Sequence, residues 1–263
     1  MLYSGLVSVT FRALSPGEIV DLVARGGLAG IEWGGDVHVP HGDVACAREV
    51  RRLTVDAGLV VCSYGSYYRA GNGEPPAFEA VIESALALGA PLVRIWAGRR
   101  GSADADAAYW RAVVEDSQRV LALAQQAGLG VAYEFHENTL TDTNASALRL
   151  LREVAGDGPA SDPASGLSTY WQPSLHMDEL TRREGLRAVL PWLSHVHVPH
   201  RRGNARMPLA DGADLWPARL ATVRESGRDH YTLIEFVQDD APEVFMRDAE
   251  TLLEWLGEQP VDK

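Results

Sequence analysis

The chain has 263 residues, 46% of them hydrophobic, and a formal net charge of −12. That is enough apolar material for a sizeable core, and the length fits one α/β barrel as well as two small domains. The acidic balance opposes general nucleic-acid binding, which needs a basic face to neutralise phosphates, and no run of about 18 apolar residues offers a membrane-spanning helix. Met1 to Gly5 lacks the basic start and apolar core of a signal peptide. Two cysteines, Cys46 and Cys62, make no disulfide framework. They suit a reducing cytoplasm, which is the expected location. Nearly all positive charge is arginine, and the only lysine is Lys263.

In chain order, short β-rich runs alternate with longer amphipathic stretches. Gly5 to Thr10 reads as a first strand. Ser15-Pro16 supplies an N-cap and a proline at the first helical position, and the helix runs to Arg25 before Gly26-Gly27 stops it. Leu28 to Trp33 is a second strand ending in an acid, followed by a polar loop from Gly34 to Gly42. Val44 to Asp56 is helical and Leu59 to Ser63 is a third strand. An aromatic loop, Tyr64 to Arg69, follows. Pro75 to Leu88 is the next helix, Leu92 to Trp96 the fourth strand, and Ala105 to Ala127 the longest helix.

The fifth strand, Leu129 to Tyr133, runs directly into Glu134-Phe135-His136-Glu137-Asn138. Strand cores do not normally end in such a cluster unless it faces something polar. Asn144 to Val154 is helical, and Gly156 to Ser168 is a loop rich in Gly, Pro, Ser and Asp. Leu167 to Trp171 is a sixth strand, Asp178 to Leu190 a helix and Leu193 to Val198 a seventh strand. Leu215 to Glu225 is helical, Tyr231 to Val237 is the eighth strand, and Pro242 to Leu256 closes the pattern. Helices that end in Ala-Gly-Leu, at Gly58 and Gly128, fit a left-handed glycine cap before the next strand.

Eight strand–helix units without two-residue hairpins between the strands imply parallel pairing through crossover helices. The stretch after the first strand, Val9 to Leu14, is no Gly-rich phosphate loop, which counts against an open doubly wound sheet. The expectation is a single-domain (β/α)8 TIM barrel of the α/β class spanning residues 1–263.

In such a barrel, reactive groups gather at the C-terminal strand ends. Those ends carry Glu32, Arg94 with Trp96, Glu134 with His136, Gln172, His195 with His197, and Glu235. Strand alternation points His195 and His197 to the same face. Carboxylates and imidazoles from separate strands suit a divalent cation; Mn²⁺, Mg²⁺, Co²⁺ and Zn²⁺ all accept oxygen and nitrogen ligands. Such a cation polarises a carbonyl, while paired carboxylates move a proton between neighbouring carbons.

The order and spacing of Gly30-Ile31-Glu32-Trp33, Val131 to His136, Leu193 to Val198 and Leu233 to Phe236 resemble the xylose-isomerase-like barrel superfamily of sugar (phosphate) isomerases and epimerases. The resemblance implies that Glu134, His197 and Glu235 are metal ligands. It implies that Glu134 and Glu235 are also the acid/base pair, and that Glu32 and Trp33 line the substrate pocket. The chain departs at strand six, where the family pattern has an aspartate ligand and this sequence offers Gln172, with His176 four residues on.

Trp96, His136, His176, His195 and Arg201 complete the expected substrate contacts. Arg99-Arg100 and His200-Arg201-Arg202 with Arg206 are basic islands on an acidic chain, able to hold a phosphate or carboxylate. Tyr64, Tyr67 and Tyr68 could stack on a sugar ring, while Trp110 and Trp255 read as packing residues. The expected partner is a small sugar or sugar derivative, with no nucleic acid, no membrane and the oligomeric state open. The leading expectation is a metal-assisted isomerase or epimerase working through an enediolate. The alternatives are an inosose-type dehydratase and a catalytically inactive carbohydrate-binding barrel.

Overall fold

The helix starts show why the units form where they do. Ser15 Oγ accepts from the Glu18 N–H while Glu18 reaches back to the Ser15 N–H, a reciprocal capping box worth about 1 kcal/mol. Asp43, Asp106 and Asp178 cap three further helices in the same way, each carboxylate accepting a backbone N–H three residues on. At the other ends, Gly58 and Gly128 adopt φ of 75° and 73°, as the Ala-Gly-Leu pattern predicts.

The computed structural model describes residues 1–73, 77–155 and 166–257. The start of the helix expected from Pro75, most of the Gly156–Ser168 loop and Lys263 lie outside the described residues. The barrel strands are β1 (Leu2–Val7), β2 (Gly30–Gly34), β3 (Val60–Arg69), β4 (Leu92–Trp96), β5 (Gly130–Tyr133), β6 (Leu167–Trp171) and β7 (Leu193–Val198). A two-stranded hairpin, β8 (Arg201–Arg202) and β9 (Ala205–Arg206), precedes the last barrel strand, β10 (His230–Ile234). The helices are α1 (Pro16–Arg25), α2 (Val44–Asp56), α3 (Phe78–Leu88), α4 (Ala107–Gln126), α5 (Asn144–Ala155), α6 (Glu179–Val189), α7 (Trp216–Arg224) and α8 (Pro242–Leu256). All eight barrel strands pair in parallel and close in the order β1-β10-β7-β6-β5-β4-β3-β2, the expected TIM barrel.

Strand alternation divides the apolar residues into two layers. The large core cluster, including Trp33, Ile95, Val131 and Val196, packs the barrel against its helices. A small separate cluster of Val7, Cys62, Leu92, Ala132, Tyr170 and Leu233 fills the barrel interior. Above that plug, the same inward positions of the strands carry charge, and that layer is the candidate site.

Three expected strands have bounds that differ by three residues or more. The first strand is Leu2–Val7 and Ser8–Phe11 is a 3-10 turn, because the pairing with β10 begins at Leu2 opposite His230. β3 runs on through the expected aromatic loop to Arg69, with a register shift beyond Gly65. The last barrel strand ends at Ile234, so Glu235 stands at the point where the chain leaves the sheet. The hairpin has no counterpart among the expected elements, although Gly203-Asn204 between Arg202 and Ala205 is a two-residue turn signal.

Candidate active site

Arg94 on β4 is the hub of the charged layer. Its Nε donates to Glu32 Oε1 on β2 at 2.8 Å, and its Nη1 donates to Glu134 Oε2 just after β5. Ser63 Oγ on β3 donates to the second oxygen of Glu32 at 2.8 Å. Trp96 Nε1 also donates to Glu134 Oε2. Arg94, Glu32 and Glu134 are all buried, so the pairing is shielded from water and salt. Room for it exists because position 65 is glycine: a Cβ there would stand 2.5 Å from Arg94 Nη2. Burial would raise the Glu32 carboxyl, but Arg94 and His197 together hold it far below the usual carboxylate range.

His197 faces the other side of this network. Its Nε2 lies 3.5 Å from Glu32 Oε1, an ion-pair contact longer than an ordinary hydrogen bond. Its Nδ1 lies 3.3 Å from Gln172 Oε1, 3.4 Å from Glu235 Oε1 and 3.8 Å from Glu134 Oε1. Gln172 is oriented by its amide, which donates to the Phe135 carbonyl at 2.8 Å and turns Oε1 toward His197. Burial works against a charged His197, but Glu235, Glu32 and Glu134 outweigh it and hold the imidazole above its ordinary value. Burial raises the Glu235 carboxyl, with Glu134 and Glu32 adding to the effect against His197 and Arg94.

Glu134, His197 and Glu235 each offer a ligand atom within 4.8 Å of the others, so the expected ligand residues converge. Metal–ligand bonds of about 2.1 Å put neighbouring ligands roughly 3.0–3.4 Å apart. The separations around His197 Nδ1 approach that spacing. A cation at Nδ1 would take the place of the proton there; the ring would then keep its Nε2 proton on the Glu32 side, 3.5 Å from Oε1, as in a carboxylate–histidine arrangement that supports a metal ligand. Glu134, His197 and Glu235 fit a divalent cation, and the Gln172 amide oxygen stands beside them, 3.3 Å from His197 Nδ1. This donor set admits Mn²⁺, Mg²⁺, Co²⁺ or Zn²⁺.

A cavity of about 190 Å³ opens beside these groups, lined by Glu134, His136, Gln172, Leu175, Arg201 and Glu235 among others. Larger grooves on the molecule lie between helices on the outer wall, away from the charged layer. His136 stacks on Trp96 with centroids 4.5 Å apart, and its Nδ1 faces the Glu137 carbonyl at 2.6 Å. His176 sits at the exposed rim, its Nε2 3.1 Å from Glu137.

Four expected substrate contacts lie elsewhere. Trp33 points outward, fully buried, with its Nε1 donating to Thr54 on α2 at 3.2 Å; alternation sends it away from the face of Glu32. Glu32 lies beneath the cavity, where it meets Arg94, Ser63 and His197. His195 is one interior layer below His197, packed between Tyr170 and Tyr231, where burial lowers its proton affinity to a pKa of about 4. Trp96 is covered by Arg69, 3.5 Å above its ring, and holds Glu134 rather than lining the cavity. Of the tyrosines, Tyr64 donates to the Val39 carbonyl and Tyr68 to Asp116, both at 2.7 Å, so both are packing residues. Tyr67, with φ of 57°, lies over Arg94 at 5.4 Å. Trp110 packs as expected and bonds Glu153. The contribution that sequence reading missed is Arg94, noted at its strand end but given no partner.

A closed parallel barrel of eight strands, with buried acids, an imidazole and an arginine at its C-terminal mouth, places the chain among the TIM barrels. The family model for xylose isomerase-like TIM barrels matches residues 20–258, and the chain belongs to that family. A 3-dehydroshikimate dehydratase of Bacillus anthracis is 25% identical over 176 residues, 61% of this chain and 61% of that protein's length. Among solved structures, a probable 3-DHS dehydratase involved in petrobactin synthesis from Bacillus anthracis superposes with a TM-score of 0.74 and 23% identity. The match covers 96% of this chain and 98% of that one. The D-psicose 3-epimerase of Clostridium cellulolyticum H10, solved with D-tagatose, gives a TM-score of 0.70 at 14% identity over 96% and 97%. A xylose isomerase-like barrel from Mycobacterium smegmatis in complex with magnesium gives 0.69 at 17% identity, over 94% and 90%.

Proposed function

We propose that the protein is a metal-assisted lyase that removes water from a polyhydroxylated carbonyl compound, with Glu235 as the carboxylate that moves the proton. The observation that carries this reading is the inequality of the two mouth glutamates. Glu134 Oε2 already accepts from Arg94 and Trp96, and its Oε1 is approached by Gln172 Nε2 at 3.4 Å. Among the described residues Glu235 has no such donors; His197 Nδ1 stands 3.4 Å from its Oε1. Epimerisation by paired bases needs two carboxylates free to exchange protons, whereas elimination on one face needs one. The 3-dehydroshikimate dehydratase relative supports the same choice.

When bound by Glu134, Gln172, His197 and Glu235, a divalent cation supplies Lewis-acid polarisation of a substrate oxygen. The side chains do the rest. Glu235 takes the proton from the carbon next to the carbonyl, and the C–H electron pair becomes the new C=C bond as the C–O bond breaks. The departing hydroxyl takes the proton back from Glu235 and leaves as water, so one carboxyl acts as base and then acid. His136, whose Nδ1 hydrogen faces the Glu137 carbonyl, presents Nε2 as an acceptor for a substrate hydroxyl. Glu32 and Arg94 stay put and keep His197 and Glu134 oriented.

The second reading is isomerisation or epimerisation of a ketose, favoured by the fact that Glu134 and Glu235 both line the cavity. A panel of hydroxylated cyclic ketones, ketoses and ketose phosphates incubated with the Mn²⁺-loaded protein separates the two. Elimination gives a conjugated, ultraviolet-absorbing product. Epimerised ketose with no conjugated product from any hydroxy ketone would sink the lyase reading.

A further inference from the structure

Of the five described non-glycine residues with a left-handed backbone, three follow Glu235 closely: Phe236 at φ 57°, Asp239 at 58° and Asp240 at 52°. Aspartate visits that region readily, but a bulky side chain takes it only where its surroundings hold it there. The turn does not hold itself. Its backbone bonds are long, 3.4 Å from the Asp240 N–H to the Val237 carbonyl and 3.3 Å from the Ala241 N–H to Gln238. Glu235 stands just past β10, beyond the register that fixes Ile234, so this turn sets its direction.

The holding contacts come from outside the turn. The Phe236 N–H donates to Thr10 Oγ1 at 3.1 Å, and Arg206 Nη1 on β9 donates to Asp240 Oδ1. The Arg206 guanidinium also covers the Phe236 ring, 4.7 Å from its centroid. Arg206 thus grips the turn at both ends, by charge at Asp240 and by its face at Phe236. The β8–β9 hairpin needs this contact as much as the turn does. Arg201 stands directly across its ladder from Arg206, and like charges so opposed weaken a two-stranded ribbon that is marginal alone. Neither piece accounts for its own conformation; each completes the other.

We propose that the hairpin and the turn form a strap, clasped by Arg206 and Asp240, that positions Glu235. Both are positioning residues, acting on cation and substrate only through that carboxylate. The proposal rests on the reading of Glu235 as the reacting acid and a cation ligand. Their side chains are 30% and 58% exposed, so exchanging them leaves the core intact.

The experiment compares Asp240→Asn, Arg206→Gln, the double variant and the exchanged pair, Arg206→Asp with Asp240→Arg. The readouts are amide hydrogen exchange, Mn²⁺ calorimetry and turnover. In each single variant the amides of residues 236–241 and of the hairpin should exchange about three- to fivefold faster, and those of β4 at the wild-type rate. Mn²⁺ should bind about three- to fivefold more weakly, and kcat should fall by a similar factor with KM unchanged, the scale of one exposed ion pair. The double variant should be no worse than either single one, and the exchanged pair should recover most of the loss. Arg206→Asp alone separates the clasp from the hairpin's own stability. It turns the opposition to Arg201 into an attractive cross-strand pair, yet sets a second carboxylate against Asp240. The clasp requires this variant to be the worst of the set, and one that matches or exceeds the wild type overturns the proposal. Additive losses in the double variant, or wild-type exchange in Asp240→Asn, overturn it as well. If exchange and Mn²⁺ affinity change as expected but no substrate loses water, the lyase reading falls and the strap stands. If Glu235→Gln abolishes elimination while Asp240→Asn keeps the wild-type kcat and Mn²⁺ affinity, the strap falls and the lyase reading stands.

Discussion

The two halves of the barrel mouth are built differently. On the β2–β5 side, Glu32, Arg94, Ser63, Trp96 and Glu134 form a buried lattice of direct side-chain bonds, roofed by Tyr67. On the β6–β10 side, Gln172, His197 and Glu235 meet at separations of 3.3–3.4 Å beside an open cavity. Closed pairs fix geometry; groups held near one another without closing leave room for a cation and a substrate. The acids are thus divided by neighbour rather than by type. In the proposed reaction those around Arg94 are framework, and Glu235 is the acid that reacts.

The largest expected effects test that division from each side. Glu235→Gln should lower turnover by about 10²–10⁴-fold while leaving the urea midpoint near that of the wild type. Full activity in the variant would move the reacting carboxylate elsewhere. Arg94→Met should instead cost stability, about 3–5 kcal/mol in urea unfolding, because two buried carboxylates lose their counter-ion. A loss below about 1 kcal/mol would show that the lattice is not what holds the closed half together. An intermediate test is Gln172→Asp. A carboxylate oxygen placed toward His197 Nδ1 adds a full charge to the donor set and should tighten Mn²⁺ binding about tenfold, near 1.4 kcal/mol by calorimetry. Weaker binding would mean that the bond from Gln172 to the Phe135 carbonyl is what shapes the donor set.

The closed half was the harder one to foresee, for a physical reason. Periodicity and caps are local, so Val44–Asp56, Leu92–Trp96, Leu193–Val198 and Pro242–Leu256 were read to the residue. The convergence of Glu134, His197 and Glu235 was also legible, because each ends a parallel strand and the barrel brings such ends together. An ion pair between β4 and β2 is a tertiary fact with no trace in spacing, and Arg94 went unassigned. Trp33 is a different kind of miss. If Glu32 points inward, the next residue points outward, so alternation alone excluded placing both in one pocket. For His195 alternation gave the correct face and no depth: two residues before His197 on a strand is one layer down. Where a strand ends is set by its partner, which is why Glu235 proved to lie just past β10.

The smallest expected effect asks how the open half is tethered from outside. Asp248 on α8 accepts the Leu209 N–H at 2.8 Å and so anchors the segment that follows the β8–β9 hairpin. Burial lifts its carboxyl to about 6, against the Leu209 N–H and Arg247, which pull it down. In the unfolded chain an aspartate titrates near 3.9. A carboxyl raised on folding binds its proton more tightly in the native state. Its stabilising contribution is therefore complete below about pH 4 and is lost as the pH climbs through about 6. Asp248→Asn keeps an oxygen for the Leu209 N–H and removes the charge. The urea midpoint of the variant minus that of the wild type should rise between about pH 4 and 6 and then level off. A difference that stays flat with pH would mean that Asp248 meets water when charged, and that the hairpin side of the mouth is already loosened at neutral pH.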